Sequence, residues 1–333
     1  MSGERALLLR LRDGPVPGDV LARESGQTRA AVWKRVESLR AAGVEILAQP
    51  GHGYALAQPA DLLDAARLQA LLAPDVLTHL HALEVLWSID STNAELLRRV
   101  APAEGADVLL AERQTGGRGR RGRPWASPLA AKLYLSVSRQ FAGGLTRLAG
   151  LSLVAGVAAV EALHGLGLTM VRLKWPNDLV VASVAGELRK LGGVLVEGGG
   201  EHAGPVRAVI GLGLNVRMPA AAGVGIDQPW ADLASLADGP LPARNALVAA
   251  LLGRLLPALA AFDVRGMAPV LERYADFDVL QGREVVVHSG EKGDAGIALG
   301  LAEDGALRVR MAEGERRFHS GEVRVRARQE VQA

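Results

Sequence analysis

The sequence predicts an α+β protein in three parts: an N-terminal winged helix-turn-helix, a central α/β domain on a mixed sheet, and a small C-terminal β-barrel. Three observations predict it. Residues 1–58 carry three short helical patterns, then two short apolar runs around Pro50-Gly51-His52-Gly53. From Val85 onward, apolar runs of strand length alternate with helical patterns. From Val279 onward only short strands remain, with turns at Ser289-Gly290, Asp304-Gly305 and Glu313-Gly314. The expected domains are residues 1–60, 61–278 and 279–333.

Composition sets outer limits. The chain has 333 residues, 49% hydrophobic and 22% charged, which suits a sizeable core. It has no cysteine, so disulfides, thiolate metal sites and cysteine nucleophiles are excluded. Arg5, Arg10, Arg12 and Asp13 interrupt the first segment, so no signal core is expected there. The run Leu148–Leu163 is too short, and too rich in Gly and Ala, for a membrane span. A cytoplasmic protein without membrane contact is the expectation. A net charge of +2 does not by itself imply nucleic acid. Arginine dominates the cations, so a dense arginine cluster or a lysine inside an apolar strand carries more meaning than scattered charge.

In the first domain, Leu7, Leu8, Leu9 and Leu11 lie on a helix that Gly14-Pro15-Val16-Pro17 ends. A second helix runs from about Asp19 to Glu24. Thr28 caps a third reaching about Ala42, with Val32, Val36 and Leu39 toward the core. Arg29, Lys34 and Arg35 then face outward, and strands at Val44–Leu47 and Tyr54–Leu56 form the wing. Thr28, Arg29, Lys34 and Arg35 are the candidate DNA contacts, with the third helix in the major groove. Trp33 fits either the core or a base contact. A winged helix used only for protein contacts is the alternative.

Residues 59–80 read as a helical connector. Val85–Asp90 reads as a strand, and a helix follows to about Val100 with Thr92 and Glu95 as a capping box. Ser91, Thr92 and Asn93 stand at that junction, placed to bind a ligand or simply to cap. Strand Asp107–Ala111 leads through Gln114 into Gly116–Trp125, a stretch with four glycines and four arginines. Glycine lets backbone approach a ligand, arginine forks onto phosphate, and tryptophan offers a stacking face. An exposed arginine-rich turn is the plain alternative. Lys132–Ser138 alternates like a strand, Leu145–His164 is a small-residue helix, and Val171–Lys174 is a strand ending in the loop Trp175-Pro176-Asn177-Asp178.

Leu188–Glu197 is a strand with Lys190 near its start, and a lysine there is costly to bury unless an anion meets it. Strand Val206–Val216 carries Gly211, Gly213 and Asn215, and glycine inside a strand marks close approach. Helices follow at Asn245–Phe262 and Met267–Phe277, then strands at Arg283–His288, Ile297–Leu301, Leu307–Met311 and Arg316–Val325.

Gly117-x-Gly119-x-x-Gly122 is not a dinucleotide fingerprint, because a strand rather than a helix follows it. No Walker motif, metal cluster or nucleophile triad stands out. The residues instead outline a pocket: Ser91, Thr92, Asn93, Gln114, the arginine loop and Lys190, over a floor of Gly192, Gly193, Gly211 and Gly213. Several cations suit a nucleoside triphosphate, where charge develops on the α-phosphate. With no protein nucleophile, a substrate carboxylate would attack that phosphate directly. That is acyl-adenylate chemistry.

The chain resembles the bifunctional biotin protein ligases that also repress biotin synthesis genes. Ser91-Thr92-Asn93, Gly117-Arg118-Gly119-Arg120-Arg121-Gly122-Arg123-x-Trp125, Lys174-Trp175-Pro176-Asn177-Asp178, Lys190-Leu191-x-Gly193 and Gly211-x-Gly213-x-Asn215 carry the resemblance, in family order. It implies a class II synthetase-like central domain and an SH3-like C-terminal barrel. It implies that ATP and biotin give biotinyl-5′-adenylate, and that a lysine of the biotin carboxyl carrier protein then takes the biotin.

By the same resemblance, Ser91, Thr92, Asn93, Gln114, Arg118, Gly119, Arg120, Lys190 and Gly211 bind biotin. Arg120, Arg121, Trp125, Asn177, Lys190 and Asn215 bind ATP or the adenylate. Arg120 and Lys190 are catalytic. Mg2+ accompanies the ATP, with its ligands unassigned. Operator DNA and a ligand-promoted homodimer are the other implied partners. The connection from Asp178 to Lys190 is a few residues longer than the family pattern. Three rival readings remain: a lipoate–protein ligase-like enzyme, a ligand-sensing regulator without catalysis, and a ligase without regulation whose winged helix is vestigial.

Overall fold

The computed structural model describes residues 3–144, 148, 150–183, 186–200, 205–289, 292–319 and 324–327. The expected helix start at Leu145, the Gly290 turn position, and Val184 and Ala185 of the Asp178–Lys190 connection lie outside them.

The N-terminal unit is α1 (Gly3–Leu11), α2 (Gly18–Glu24), α3 (Arg29–Ala41) and a hairpin of β1 (Ile46–Gln49) and β2 (Gly53–Leu56). Thr28 caps α3 as expected, its hydroxyl accepting from Ala31 N at 3.2 Å. Val32, Val36 and Leu39 are buried with Leu7, Leu8 and Leu11. The first wing strand starts two residues later than Val44, because Val44 N is still bonded to Leu39 O at 3.0 Å, closing α3.

The connector folds as α4 (Ala65–Leu71) and α5 (Pro74–Leu77). The central sheet has seven strands: β3 (Leu80–Leu86), β4 (Ala106–Ala111), β5 (Lys132–Phe141), β6 (Arg172–Lys174), β7 (Asp178–Ala182), β8 (Leu188–Gly200) and β9 (Val206–Asn215). Their order is β3-β4-β5-β9-β8-β7-β6. The sheet is mixed, because β3 and β4 run parallel and the other pairs antiparallel. The first strand lies earlier than the expected Val85–Asp90, and the later segment keeps one bridge, Ile89 to Gln114.

One side of the sheet is covered by α7 (Leu151–Gly165) and α9 (Arg244–Arg265), with α10 (Ala268–Ala275) against α7; the one-turn α8 (Ala220–Gly223) lies between β9 and α9 along the chain. Leu133, Leu135, Val137, Ile210, Leu212 and Leu214 point into that core. Among the described residues, α9 alone is long and apolar enough to cross a membrane. Here it packs on α7 with Leu247, Leu251, Leu255 and Leu259 buried. The other side of the sheet carries α6 (Thr92–Arg98) beside β4, β5 and β9.

The C-terminal unit is a five-stranded antiparallel sheet of β10 (Glu284–Ser289), β11 (Lys292–Leu301), β12 (Leu307–Met311), β13 (Gly314–Phe318) and β14 (Arg324–Ala327). The expected single strand Arg316–Val325 is two strands, which sit at opposite edges in the order β13-β12-β11-β10-β14. No barrel closes among the described residues. Trp175 ties this unit to the central domain, its Nε1 donating to Gly305 O at 3.1 Å.

Candidate functional site

The polar side of the central sheet follows from strand alternation. In β5, Lys132, Tyr134 and Ser136 share one face, and Leu133, Leu135 and Val137 the other. Register places Lys132 opposite Asn215, Tyr134 opposite Gly213 and Ser136 opposite Gly211 on β9. Gly193, Leu195 and Glu197 continue that face on β8. The glycines are spaces filled by other side chains. A Cβ on Gly211 would stand 2.3 Å from Asn93 Oδ1, and one on Gly213 would stand 2.8 Å from the Trp125 ring.

At one end of this face lies the Ser91-Thr92-Asn93 junction. The helix cap is Ser91 rather than a Thr92–Glu95 box: Ser91 Oγ accepts from Ala94 N at 3.3 Å. Glu95 is instead drawn to Arg98 and Arg99. Thr92 is thereby freed to meet Gln114, whose Oε1 accepts from Thr92 N at 2.8 Å and from its hydroxyl at 3.0 Å. Ser136 Oγ lies 2.7 Å from Thr92 Oγ1 and 2.6 Å from Asn93 Oδ1. Asn93 Nδ2 donates to Glu197 at 2.9 Å, and Arg118 pairs with the same carboxylate at 3.2 Å. Sequence reasoning missed Ser136 and Glu197. The alternation of β5 was the signal for Ser136.

The glycine–arginine loop folds back on itself. Gly119 N donates to Arg123 O at 2.8 Å and Trp125 N to Gly117 O at 2.9 Å. Arg121, exposed at the tip, takes left-handed backbone at φ 57°, which is strained for a residue with a Cβ. Gly122 follows at φ 71°, where glycine is at ease. Arg120 turns inward, donating to Asn177 Oδ1 at 3.1 Å, and its burial lowers the guanidinium pKa. Asn177 Nδ2 in turn holds Val194 O at 2.8 Å.

Trp125 lays its ring over the glycine floor with two ammonium groups above it. Lys132 Nζ is 4.3 Å and Lys190 Nζ 5.7 Å from the ring centroid. The anion that offsets Lys190 is Asp178, at 2.7 Å. Lys132 is buried and has no carboxylate within ion-pair distance among the described residues. Desolvation first, and the Lys190 charge second, push its ammonium down to about 7. Asn215 Nδ2 donates to Ala231 O at 2.8 Å, while its Oδ1 and Trp125 Nε1 are buried without partners among the described residues. Lys132 was passed over in the sequence, although the cost argument applied to Lys190 applies to it with more force.

Beneath this end, Arg244 and Glu112 form a buried pair at 2.6 Å. Arg244 also donates to Asp61 O at 2.8 Å and to Lys132 O at 2.7 Å, and Glu112 accepts from Leu63 N. The connector is thus anchored to the strand that carries Lys132.

In the N-terminal unit, Arg29 and Lys34 are exposed on α3 and Trp33 is 53% exposed. Trp33 is not a core residue. Arg35 folds back on α1, its guanidinium 2.6 Å from where a Gly3 Cβ would stand. The unit touches the central domain just past the loop, where Leu129 N donates to Ala42 O at 2.8 Å.

Among the described residues no three His, Asp or Glu side chains gather to hold a metal. A magnesium ion at this site would therefore rest largely on nucleotide phosphates.

Three family models match in the order of these units. An HTH domain matches residues 5–55, the Biotin/lipoate A/B protein ligase family residues 85–215, and the Biotin protein ligase C terminal domain residues 281–326. The fold and these matches therefore define a protein ligase with a helix-turn-helix head. The bifunctional ligase/repressor BirA of Salmonella typhimurium is 38% identical over 322 residues, 96% of this chain and 97% of that protein. The Escherichia coli BirA is 37% identical, covering 93% and 92%. The structure of the Aquifex aeolicus biotin protein ligase with biotin and ATP aligns at TM-score 0.61 and 27% identity, over 74% of this chain and all of that one (100%). This chain belongs to the bifunctional biotin protein ligase/repressor family.

Proposed function

We propose that the chain activates biotin with ATP to biotinyl-5′-adenylate, transfers biotin to a lysine of the biotin carboxyl carrier protein, and represses biotin-responsive genes. The observation that carries this is the polar sheet face, where a glycine floor meets Arg120, Lys190 and Trp125. In the first step a carboxylate oxygen of biotin attacks the α-phosphorus, and the bond to pyrophosphate breaks. Arg120 and Lys190 meet the charge that builds on the phosphate oxygens. In the second step a carrier amine attacks the carbonyl carbon and AMP leaves.

Ser91, Thr92, Asn93, Gln114 and Gly211 take the ring end of biotin, and Arg118, Gly119, Arg120 and Lys190 its acid end. Arg120, Arg121, Trp125, Asn177, Lys190 and Asn215 take the adenylate. Mg2+ would accompany ATP, and its charge would offset that of the leaving pyrophosphate. Thr28, Arg29 and Lys34 meet operator DNA, with Arg35 supporting α3. A homodimer favoured by ligand, a cytoplasmic location, an SH3-like nature for the C-terminal sheet, a class II synthetase-like central domain, and boundaries at 1–60, 61–278 and 279–333 complete the proposal. The C-terminal family match at residues 281–326 and the relatives favour biotin over lipoate.

Purified protein with biotin, ATP and a carrier domain should yield the adenylate and a biotinylated lysine by mass spectrometry. Lipoyl transfer instead, or neither product, would overturn the reading. Biotin-operon DNA should shift more strongly when biotin and ATP are present.

A further inference from the structure

We propose that Lys132 is a further catalytic residue of the adenylation site, where its ammonium contacts the α-phosphate beside Lys190. The proposal rests on the ligase reading above and adds a residue to its site.

Three cations around the loop already have polar partners. Lys190 is offset by Asp178 at 2.7 Å, Arg118 by Glu197 at 3.2 Å, and Arg120 is bonded to Asn177 at 3.1 Å. Lys132 differs. It is 2% exposed, it stands on the ligand face of β5, and among the described residues its ammonium has the Trp125 ring but no carboxylate. A buried ammonium without an anion is costly. A ring face alone offsets only part of that cost. The groups facing it are Trp125 from the loop, Lys190 from β8 and Asn215 from β9, while Arg244 from α9 binds its carbonyl. None of these is an anion.

Two further atoms mark the same place as incomplete. Asn215 Oδ1 and Trp125 Nε1 are buried without partners among the described residues. Asn215 is the register partner of Lys132, and Trp125 lies beneath its ammonium. An acceptor, a donor and a cation thus converge where the missing element is an anion with hydroxyl groups beside it. An adenylate supplies both, through its phosphate and ribose.

During activation, the biotin carboxylate oxygen bonds to the α-phosphorus while the bond to the pyrophosphate oxygen breaks, and that oxygen keeps the electron pair. Lys132 keeps its proton throughout and offsets charge on the non-bridging oxygens. With burial holding the empty-site ammonium near 7, an arriving phosphate raises that value. Between that value and the ordinary lysine range, binding therefore draws in a proton. Affinity for a phosphate-bearing ligand then falls as pH rises through this window, while affinity for biotin alone does not.

The test uses the full chain and biotinol-5′-adenylate, a stable phosphodiester analogue. Titration calorimetry in buffers of different ionisation enthalpy should show proton uptake near pH 8 for the analogue and none for biotin. Lys132→Met should abolish that uptake, weaken the analogue by about 10- to 100-fold, and leave biotin affinity within about twofold. It should keep or raise the melting temperature, whereas loss of a purely structural cation would lower it. Lys132→Arg should restore part of the analogue affinity.

Wild-type analogue affinity in Lys132→Met would overturn the proposal, as would the absence of proton uptake in the wild type. Should Lys132→Met not fold, the wild-type proton measurement still decides. Failure of the ligase reading is a separate outcome, because wild-type protein would then bind neither biotin nor the analogue.

Discussion

The two faces of the central sheet are built from the same strands and obey different rules. On the α7/α9 face, Leu133, Leu135, Leu212 and Leu214 make contacts that any well-fitting apolar side chain could make. On the opposite face, Lys132, Ser136, Gly211 and Gly213 leave charges and gaps that no folding argument favours. The first face supplies stability, and on the proposed reading the second uses some of it to hold a constellation ready for charge that appears only during reaction. Strand alternation is what lets one segment serve both ends.

Changes can break this contrast in graded steps. The largest effect is expected at Arg244, which supports both faces through Glu112 and the Lys132 carbonyl. Arg244→Ala should cost about 3–5 kcal/mol in urea unfolding, because it strands a buried carboxylate. Next comes Arg120→Ala, which should slow single-turnover adenylate formation by about 10²–10³-fold while leaving unfolding unchanged. A wild-type rate would remove Arg120 from the chemistry.

A smaller effect is expected for Gly211→Ala. Its new methyl meets Asn93 Oδ1 and should cost about 1–3 kcal/mol of fit, read as weaker biotin binding by calorimetry. The smallest lies away from the site, at Asp278. Burial raises its carboxyl to about 6, and one of its oxygens is buried without a partner among the described residues. The folded state therefore binds a proton there more tightly than the unfolded chain does. Stability from this group is present below the unfolded carboxyl value and is lost as pH climbs to about 6. Asp278→Asn should thus stabilise the protein at pH 7–8 by about 1–2 kcal/mol and flatten the profile from about pH 4 to 6. An unchanged melting curve at pH 8 would contradict this.

Much of the molecule was legible in the sequence where local physics decides. Thr28 as a cap, the buried stripe Val32, Val36 and Leu39, and strand Leu307–Met311 needed only nearest neighbours along the chain. The division of labour between Gly211 and Gly213 was half legible: the glycines announced close approach, but not that Asn93 and Trp125 would be what approaches. Long-range partners were not legible. Nothing local says that Asp178 answers Lys190, that Glu197 holds both Asn93 and Arg118, or that Arg244 reaches back to Glu112. The Thr92–Glu95 box failed because two arginines one turn away compete for that carboxylate. Arg316–Val325 read as one strand because its alternating residues outweighed the Ser320-Gly321 turn dipeptide between the two halves, and the pairing shows the split.

The central claim is that this polar face drives attack of a carboxylate on the α-phosphorus. Biotin labelled with 18O in its carboxylate tests it most directly, by mass spectrometry of the AMP released as a carrier lysine is biotinylated. The expected result is AMP carrying one 18O, left behind when the mixed anhydride is cleaved at carbon. Biotinylated carrier accompanied by unlabelled AMP would contradict the mechanism.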